Sequence, residues 1–446
     1  MTTAIWWIRR DMRLADNKAL QSAARIGDVV PLFVIDPVFA QSGLARQSFM
    51  YANLRELNEL MGGALVLKMG DPITEVIGCA REVGAASVHI ASDFAPYGQR
   101  RDADVEAVLA SDDIALIRAD SPYCVDPGTV LKDDGTPLKV FTPFFRRWGT
   151  HEVTSAVEAP VTYAHGLAHS AEIPPIDSSL RLPIAGEAAT WARWESWSAT
   201  ALSSYKEDRN NPGVDGTSRL SAQLRFGVVH PRQLLACLDG SSGAEVFRSE
   251  LAWREFYADV LFHQPHTAWQ NLQKKMDVLP IDTGAEAKQK FAAFCAAQTG
   301  YPIVDAGIRQ MLATGWMHNR VRMIVASFLV KDLHVPWQWG AKFFMKHLVD
   351  GDIASNNHGW QWTAGTGTDA SPYYRVFNPT TQSAKFDPTG SYLREWVPEI
   401  ADLDNVSIHD PSSLGLLAPA GYPAPMVDHS LERIESLARY KAVSGK

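Results

Sequence analysis

The chain has 446 residues, 46% hydrophobic and 21% charged, with a formal net charge of −8. This is an ordinary globular composition, with room for two or three domains and a core that folds without staples. No apolar run reaches the roughly 18 residues of a spanning helix, and the acidic total, taken alone, argues against a nucleic-acid partner, since a DNA binder of this charge needs a local basic groove. The start, MTTAIWWIRRDMR, places its charges after the apolar stretch, the reverse of a secretory signal. A cytoplasmic location is therefore expected. Cys79, Cys124, Cys237 and Cys295 lie far apart without metal-ligand spacing, so reduced thiols and no metal site are expected.

Short β-rich runs open the chain at Ala4–Ile8, Val29–Ile35, Ala64–Lys68, Ser87–Ile90 and Ile114–Ala119. Helical spacing falls between them at Ser48–Met61 and at Asp71–Val83, the latter opened by Asp-Pro. The alternation predicts a doubly wound parallel sheet over 1–125. It carries no GxGxxG and no phosphate-binding GxxxxGK loop, so those two nucleotide-site types are not expected. Residues 126–190, with Asp-Pro-Gly and IPPIDSS, read as an inter-domain connector with a short helix near Phe141–Trp148. From 191 to 446 the pattern is helical: Val246–His263, Ile303–Ala313, Trp316–Leu333 and Trp339–Val349. Eleven of the 14 Trp fall after residue 190, so the two halves do different work.

Several groups could carry chemistry. Glu250, Trp253, Arg254 and Tyr257 share one helix face; read alone, that is a surface ion pair beside core aromatics. Trp316, Asn319, Arg320 and Met323 have matching spacing, with Arg322 one step round. GTSRLS at 216–221 offers hydroxyls and amides to a phosphate, although many loops look so. Asp350-Gly351-Asp352 leads into SNNHGWQW at 355–362 and GTGTDASPYYR at 365–375, whose Asn, Gly and Asp content favours turns.

Together, DGTSRLS (215–221), WREFY (253–257), TGYPIVDAGIRQM (299–311), GWMHNRVRM (315–323), DGDIASNNHGWQW (350–362) and RVFNPTTQSAKFD (375–387) resemble the photolyase/cryptochrome family over nearly the whole chain. The resemblance implies an α/β domain, a linker and an all-α domain holding FAD. It carries flavin contacts to Tyr205, Thr217, Ser218, Arg219, Leu220, Ser221, Arg254, Asn319, Arg322, Asp350, Gly351 and Asp352, and places Asn356 at flavin N5. Arg322 and Asp350 are expected to form an ion pair. Glu250, Trp253, Arg320, Met323 and Trp362 match the lesion pocket of enzymes that split cyclobutane pyrimidine dimers. In those enzymes an electron passes from photoexcited FADH⁻ to a dimer flipped out of the duplex, a strategy for which photolyases are a standard example.

Arg209, Arg320, Arg375 and Lys385 are implied phosphate contacts, made without reading sequence. Trp360 and Trp337 match two members of an electron-transfer row; Ile281 or Gly284 stands where the third Trp is usual, so either Trp339, Tyr257 or Tyr373 substitutes or the path ends short. Arg46 and Asp93 resemble an antenna site for 8-hydroxy-5-deazaflavin more than for methenyltetrahydrofolate, since Gln99 replaces the Glu of folate-binding members; another flavin or no antenna is the remaining alternative. A monomer acting on UV-damaged DNA is expected. The alternative within the family is a cryptochrome-type light sensor; Asn356, where plant-type cryptochromes have Asp, favours repair.

Overall fold

All six residues of the first strand, β1 (Thr3–Ile8), are buried, as befits a central strand covered on both faces. The computed structural model describes residues 2–40, 42–156, 158–177, 179–368 and 374–444. The chain packs as two units, Met1–Ser198 with Arg219–Pro265 and Ala199–Ser218 with His266–Lys446.

In the first unit β1 pairs in parallel with β2 (Asp28–Ile35) and β4 (Ala85–Ala91), which lie to either side of it. β3 (Val66–Met69) and β5 (Ala115–Asp120) complete the order β3-β2-β1-β4-β5. Helices α1 (Lys18–Ala24), α2 (Pro37–Ala40), α3 (Leu44–Leu60), α4 (Pro72–Val83) and α5 (Pro96–Ala110) connect the strands. Ile5, Trp7, Val30, Leu32 and Val88 pack on Val76, Ile77 and Ala80 of α4 and on Val105 and Leu109 of α5. This is the doubly wound sheet the sequence predicts. α4 keeps its expected limits because Asp71 caps it, Pro72 opens it and Gly84 closes it with φ 62°. The sequence pattern did not single out α1 or α5; Asn17, accepting from Leu20 N–H at 3.0 Å, caps the former.

The stretch expected as a connector packs within the first unit. Tyr163 extends the sheet by a parallel bridge to Val29, Ala171 N–H donates to Leu67 O at 2.8 Å, and α6 (Phe141–Trp148) forms where a short helix is expected. The order continues with α7 (Glu187–Ala201), the single turn α8 (Tyr205–Asp208), α9 (Ser221–Phe226), α10 (Pro231–Ala236) and α11 (Ser242–His263). α11 belongs with the sheet because its carboxylates are sunk there. Buried Glu255 accepts from Cys124 N–H (2.6 Å), Val125 N–H (3.1 Å) and Trp148 Nε1 (2.6 Å). Asp259 accepts from Gly128 N–H at 2.7 Å. Gly128 is required there: its φ is +93°, and a Cβ would stand 2.4 Å from the Phe262 ring.

The second unit is helical: α12 (Ala285–Cys295), α13 (Pro302–Thr314), α14 (Asn319–Ser327), α15 (Trp337–His347), α16 (Ile353–Ala364), α17 (Pro379–Phe386), α18 (Ser391–Trp396) and α19 (His429–Ser444). Its core gathers Ile308, Met311, Val321, Ile324, Phe328, Phe344 and Trp360. The single helix expected over Trp316–Leu333 begins later, at α14, because Gly315 ends α13 in a left-handed conformation and His318 caps α14. It then passes into a π-helical turn, Phe328–Asp332. The helix expected from Trp339 starts at Trp337, directly after Pro336. SNNHGWQW is helical rather than a turn. Asp352 Oδ1 accepts from the Ala354 and Ser355 amides, each at 3.1 Å, and Gly365 closes α16. Strong caps at both ends outweigh the weak helix propensity of Asn and Gly between them. Among the described residues, no helix is long and apolar enough to cross a membrane and no metal-ligating cluster occurs.

Candidate functional site

In the first unit the exposed stripe of α11 is built as the spacing predicts. Trp253, half-exposed, stacks on Phe141 with ring centroids 3.7 Å apart and planes 9° apart. Tyr257 tilts against it at 5.4 Å. Glu250 is half-buried on the same helix. The Arg254 guanidinium donates to Pro122 O (2.8 Å) and Leu224 O (3.1 Å) and lies 4.8 Å from the Tyr123 ring. It therefore ties α11 to the segment after β5 and to α9, besides any contact with a ligand.

Just before α9, Arg219 holds a left-handed φ of 55°. A side chain rarely adopts it, and such local strain gathers at binding sites. Leu220 is 1% exposed. Ser221 Oγ is buried without a hydrogen-bond partner.

In the second unit Tyr205 is buried, with the Arg209 guanidinium 5.9 Å from its ring, and Thr217 and Ser218 follow on the same strip of chain. Arg322 Nη2 pairs with Asp350 Oδ2 at 2.8 Å, the ion pair expected from the sequence, and Arg322 Nε is held by Met317 O at 2.8 Å. Asp350 is nearly buried, and its other oxygen, Oδ1, has no partner. Gly351 leads into Asp352, which caps α16. Asn356 commits both amide hydrogens, to Ala341 O (3.1 Å) and Asn357 Oδ1 (2.7 Å), which leaves its own Oδ1 as an acceptor.

Trp360 is 2% exposed, edge-on to Phe344 at 4.9 Å, with its Nε1 buried and unpartnered. Gly340 lets the indole lie against α15: a Cβ there would meet Trp360 Cη2 at 2.1 Å. Trp337 donates Nε1–H to Asn271 Oδ1 at 2.9 Å. Trp362 and Met323 are half-exposed, and Asn319 is exposed at the start of α14. Arg320 donates to Asn210 Oδ1 (2.7 Å) and stands 4.4 Å from the Phe386 ring. Arg375 and Lys385 are exposed.

Of the other aromatics considered for electron transfer, Trp339 packs edge-on to Phe291 at 5.3 Å, and Tyr373 lies outside the described residues. Ile281 is 49% exposed, and Gly284 caps α12.

At the strand ends Asp93 is enclosed by Arg101 (3.5 Å) and Arg10 (4.0 Å). Burial opposes its ionisation, but Arg101, Arg10 and Arg9 hold the carboxyl below the usual carboxylate range. Arg46 is buried on α3. Asp93 thus already has protein partners.

The orphaned Ser221 Oγ, Asp350 Oδ1 and Trp360 Nε1 are notable because buried polar groups are rarely left unpaired. Ser221 in the first unit and Asp350 in the second are each implied flavin contacts, and an unpaired polar oxygen suits a polar flavin dinucleotide; Trp360 belongs to the implied electron-transfer row. The DNA photolyase family matches residues 4–161, and the FAD binding domain of DNA photolyase matches residues 247–442. A deoxyribodipyrimidine photo-lyase of Vibrio cholerae is 37% identical, with 98% of this chain and 99% of that protein covered. The chain belongs to the DNA photolyase family.

Two solved structures agree with the photolyase fold. A bacterial class III photolyase from Agrobacterium tumefaciens superposes with a TM-score of 0.91 at 33% identity, covering 100% of this chain and 98% of that one. A Synechocystis cryptochrome gives 0.88 at 25%, covering 98% of each. Photolyase membership makes FAD the cofactor.

Sequence reasoning missed Phe141, Asn271, Gly340 and Lys331. Lys331 is fully buried in the π turn, where burial lowers its amine to about 7; its Nζ donates to Arg375 O and lies 4.3 Å from the Tyr374 ring. The apolar surroundings of its sequence gave no sign of this.

Proposed function

We propose that the chain splits cyclobutane pyrimidine dimers in DNA in a light-driven reaction. Asn356 carries this reading. With both hydrogens engaged by the protein, its Oδ1 is a fixed, neutral acceptor suited to the N–H of a reduced flavin. An acidic residue there would suit the sensor alternative better.

FAD, bound and reduced, would supply the light-driven electron chemistry that opens the dimer without net redox change. The chain's own residues bind, orient and polarise. On α11, Trp253 offers an apolar wall to the bent dimer, and Glu250 hydrogen-bonds its polar edge as charge arrives on the carbonyls. Aimed polar groups of this kind usually give the largest stabilisation of a charged intermediate. Met323 and Trp362 are assigned further apolar walls, and Arg320, Arg209, Arg375 and Lys385 phosphate contacts without sequence preference. Asp350, held by Arg322, keeps one oxygen for the flavin. Trp360 and Trp337 are the residues that would carry electrons toward that group.

A single lesion site needs no symmetry, so a monomer working in the cytoplasm is the proposed form. An antenna in the first unit, with deazaflavin preferred to folate, is proposed at Arg46 and its neighbours, with a lesser part for Asp93.

Binding in the dark tests the lesion assignment. A thymine-dimer oligonucleotide should bind about a thousandfold more tightly than its undamaged copy, the low end of specific-to-nonspecific ratios. Equal affinity would overturn the reading and favour a sensor.

A further inference from the structure

Trp253 and Phe141 stack more closely than aromatic pairs ordinarily do. Offset or edge-on pairs sit with centroids about 4.5–7 Å apart, because the negative faces of two rings repel in a direct sandwich. Here the centroids are 3.7 Å apart and the planes 9° from parallel. Such a contact needs outside restraint, and α6 supplies it. Trp148 at its end donates to buried Glu255 of α11 at 2.6 Å. Phe144 packs on Phe256 of α11 at 5.1 Å, and Phe141 itself meets Phe256 at 5.8 Å. Phe141 is also stacked with Phe145, at 5.6 Å and 12°.

Water does not fit into a 3.7 Å gap, so the exposure that Trp253 keeps, beside Phe256 (5.6 Å) and Tyr257 (5.4 Å), lies away from Phe141. Phe141 is only 8% exposed. Its ring fixes the plane of Trp253 without being a contact surface itself.

We infer that Phe141 is a positioning residue that holds the Trp253 indole flat, so that its exposed part is preset for the dimer. The inference rests on Trp253 being a lesion contact. Preset groups raise affinity by removing the ordering a ligand would otherwise impose. Undamaged DNA, gripped by phosphate contacts, gains nothing from it. Phe141 should thus govern discrimination between damaged and undamaged DNA rather than overall binding.

Phe141→Leu keeps apolar volume but removes the flat ring, Phe141→Tyr keeps the ring, and Phe141→Met serves if the Leu protein does not fold. FAD content and melting temperature identify folded variants. In holoprotein with dimer and undamaged oligonucleotides, Phe141→Leu should weaken dimer binding about tenfold, or ~1.4 kcal/mol. Undamaged binding and the yield per bound dimer should be unchanged. Phe141→Tyr should stay within about twofold of the parent, and Phe141→Leu should add nothing in a Trp253→Ala background. If Trp253→Ala weakens dimer binding but Phe141→Leu does not, the positioning role is overturned and the lesion assignment stands. Equal losses for damaged and undamaged DNA would also overturn it. If Trp253→Ala itself leaves dimer binding unchanged, the lesion assignment falls and the inference with it.

Discussion

Replacing Gly340 by Ala isolates one packing contact beneath the proposed electron path. In an ordinary helix this change gains about 0.5–1 kcal/mol, because Ala loses less backbone freedom on folding. Here the new Cβ would stand 2.1 and 2.5 Å from two Trp360 ring atoms and 2.6 Å from Leu329 Cδ2. Carbon atoms rest about 3.5–4.0 Å apart, so the indole or the helix must move by about 1.5 Å. The Leu329 methyl can turn away. Trp360, 2% exposed and edge-on to Phe344 at 4.9 Å, has no such freedom.

Overpacking of this kind costs about 1–3 kcal/mol, and the severe overlap places it toward the upper end, so the clash outweighs the propensity gain. A net loss of about 2 kcal/mol should lower the melting temperature by roughly 2 °C if the whole chain unfolds together, and by roughly 4–5 °C if the second unit unfolds by itself. Trp360→Phe removes the two clashing ring atoms. The double variant should therefore be less destabilised than the sum of the single changes by about 1 kcal/mol or more. Thermal denaturation of all four proteins checks this. An unchanged melting temperature for Gly340→Ala, or strict additivity, would refute the packing argument.

Glu250→Ala should leave FAD bound and lower the dimer-splitting yield about ten- to a hundredfold, the worth of a hydrogen bond to a charged group; yield per absorbed photon with FAD content measures it. Trp360→Phe should slow photoreduction of oxidised FAD, followed by flavin absorbance, and spare dimer splitting by chemically reduced protein. Binding to damaged and undamaged DNA should weaken in parallel as salt is raised, since phosphate contacts release counterions; a flat salt titration would contradict the assigned Arg and Lys contacts. His358 is held neutral by burial, with its imidazole lowered to about 4 while it bonds Thr267 Oγ1 at 2.9 Å. The unfolded chain takes up that proton near 6.5. Stability should therefore fall by up to ~3 kcal/mol as pH drops from about 6.5 to 4, and His358→Gln should flatten that slope in denaturant titrations.

The parts of the fold legible in sequence are those where local pattern and tertiary packing agree. β1 reads as an unbroken apolar run because both its faces are covered, and α4 carries its caps in its own residues. α16 misleads because its Asn and Gly suggest a turn, while the deciding interaction is the Asp352 cap and the Gly365 stop. The π turn after α14 leaves no mark in the spacing, since the same apolar residues serve either helix type.

Within the candidate site, local spacing placed Glu250, Trp253, Arg254 and Tyr257 on one face. The Arg322–Asp350 pair needed the family resemblance. Neither route reached Phe141, whose partner lies far along the chain and whose segment reads as connector.

The central claim is tested most directly by mixing the purified, reduced holoprotein without oxygen with a thymine-dimer oligonucleotide, in blue light and in darkness, and following absorbance near 260 nm. Recovery of pyrimidine absorbance in light alone is the expected result. No recovery in light, with FAD bound and reduced, would contradict dimer splitting and remove the role assigned to Glu250 and Trp253.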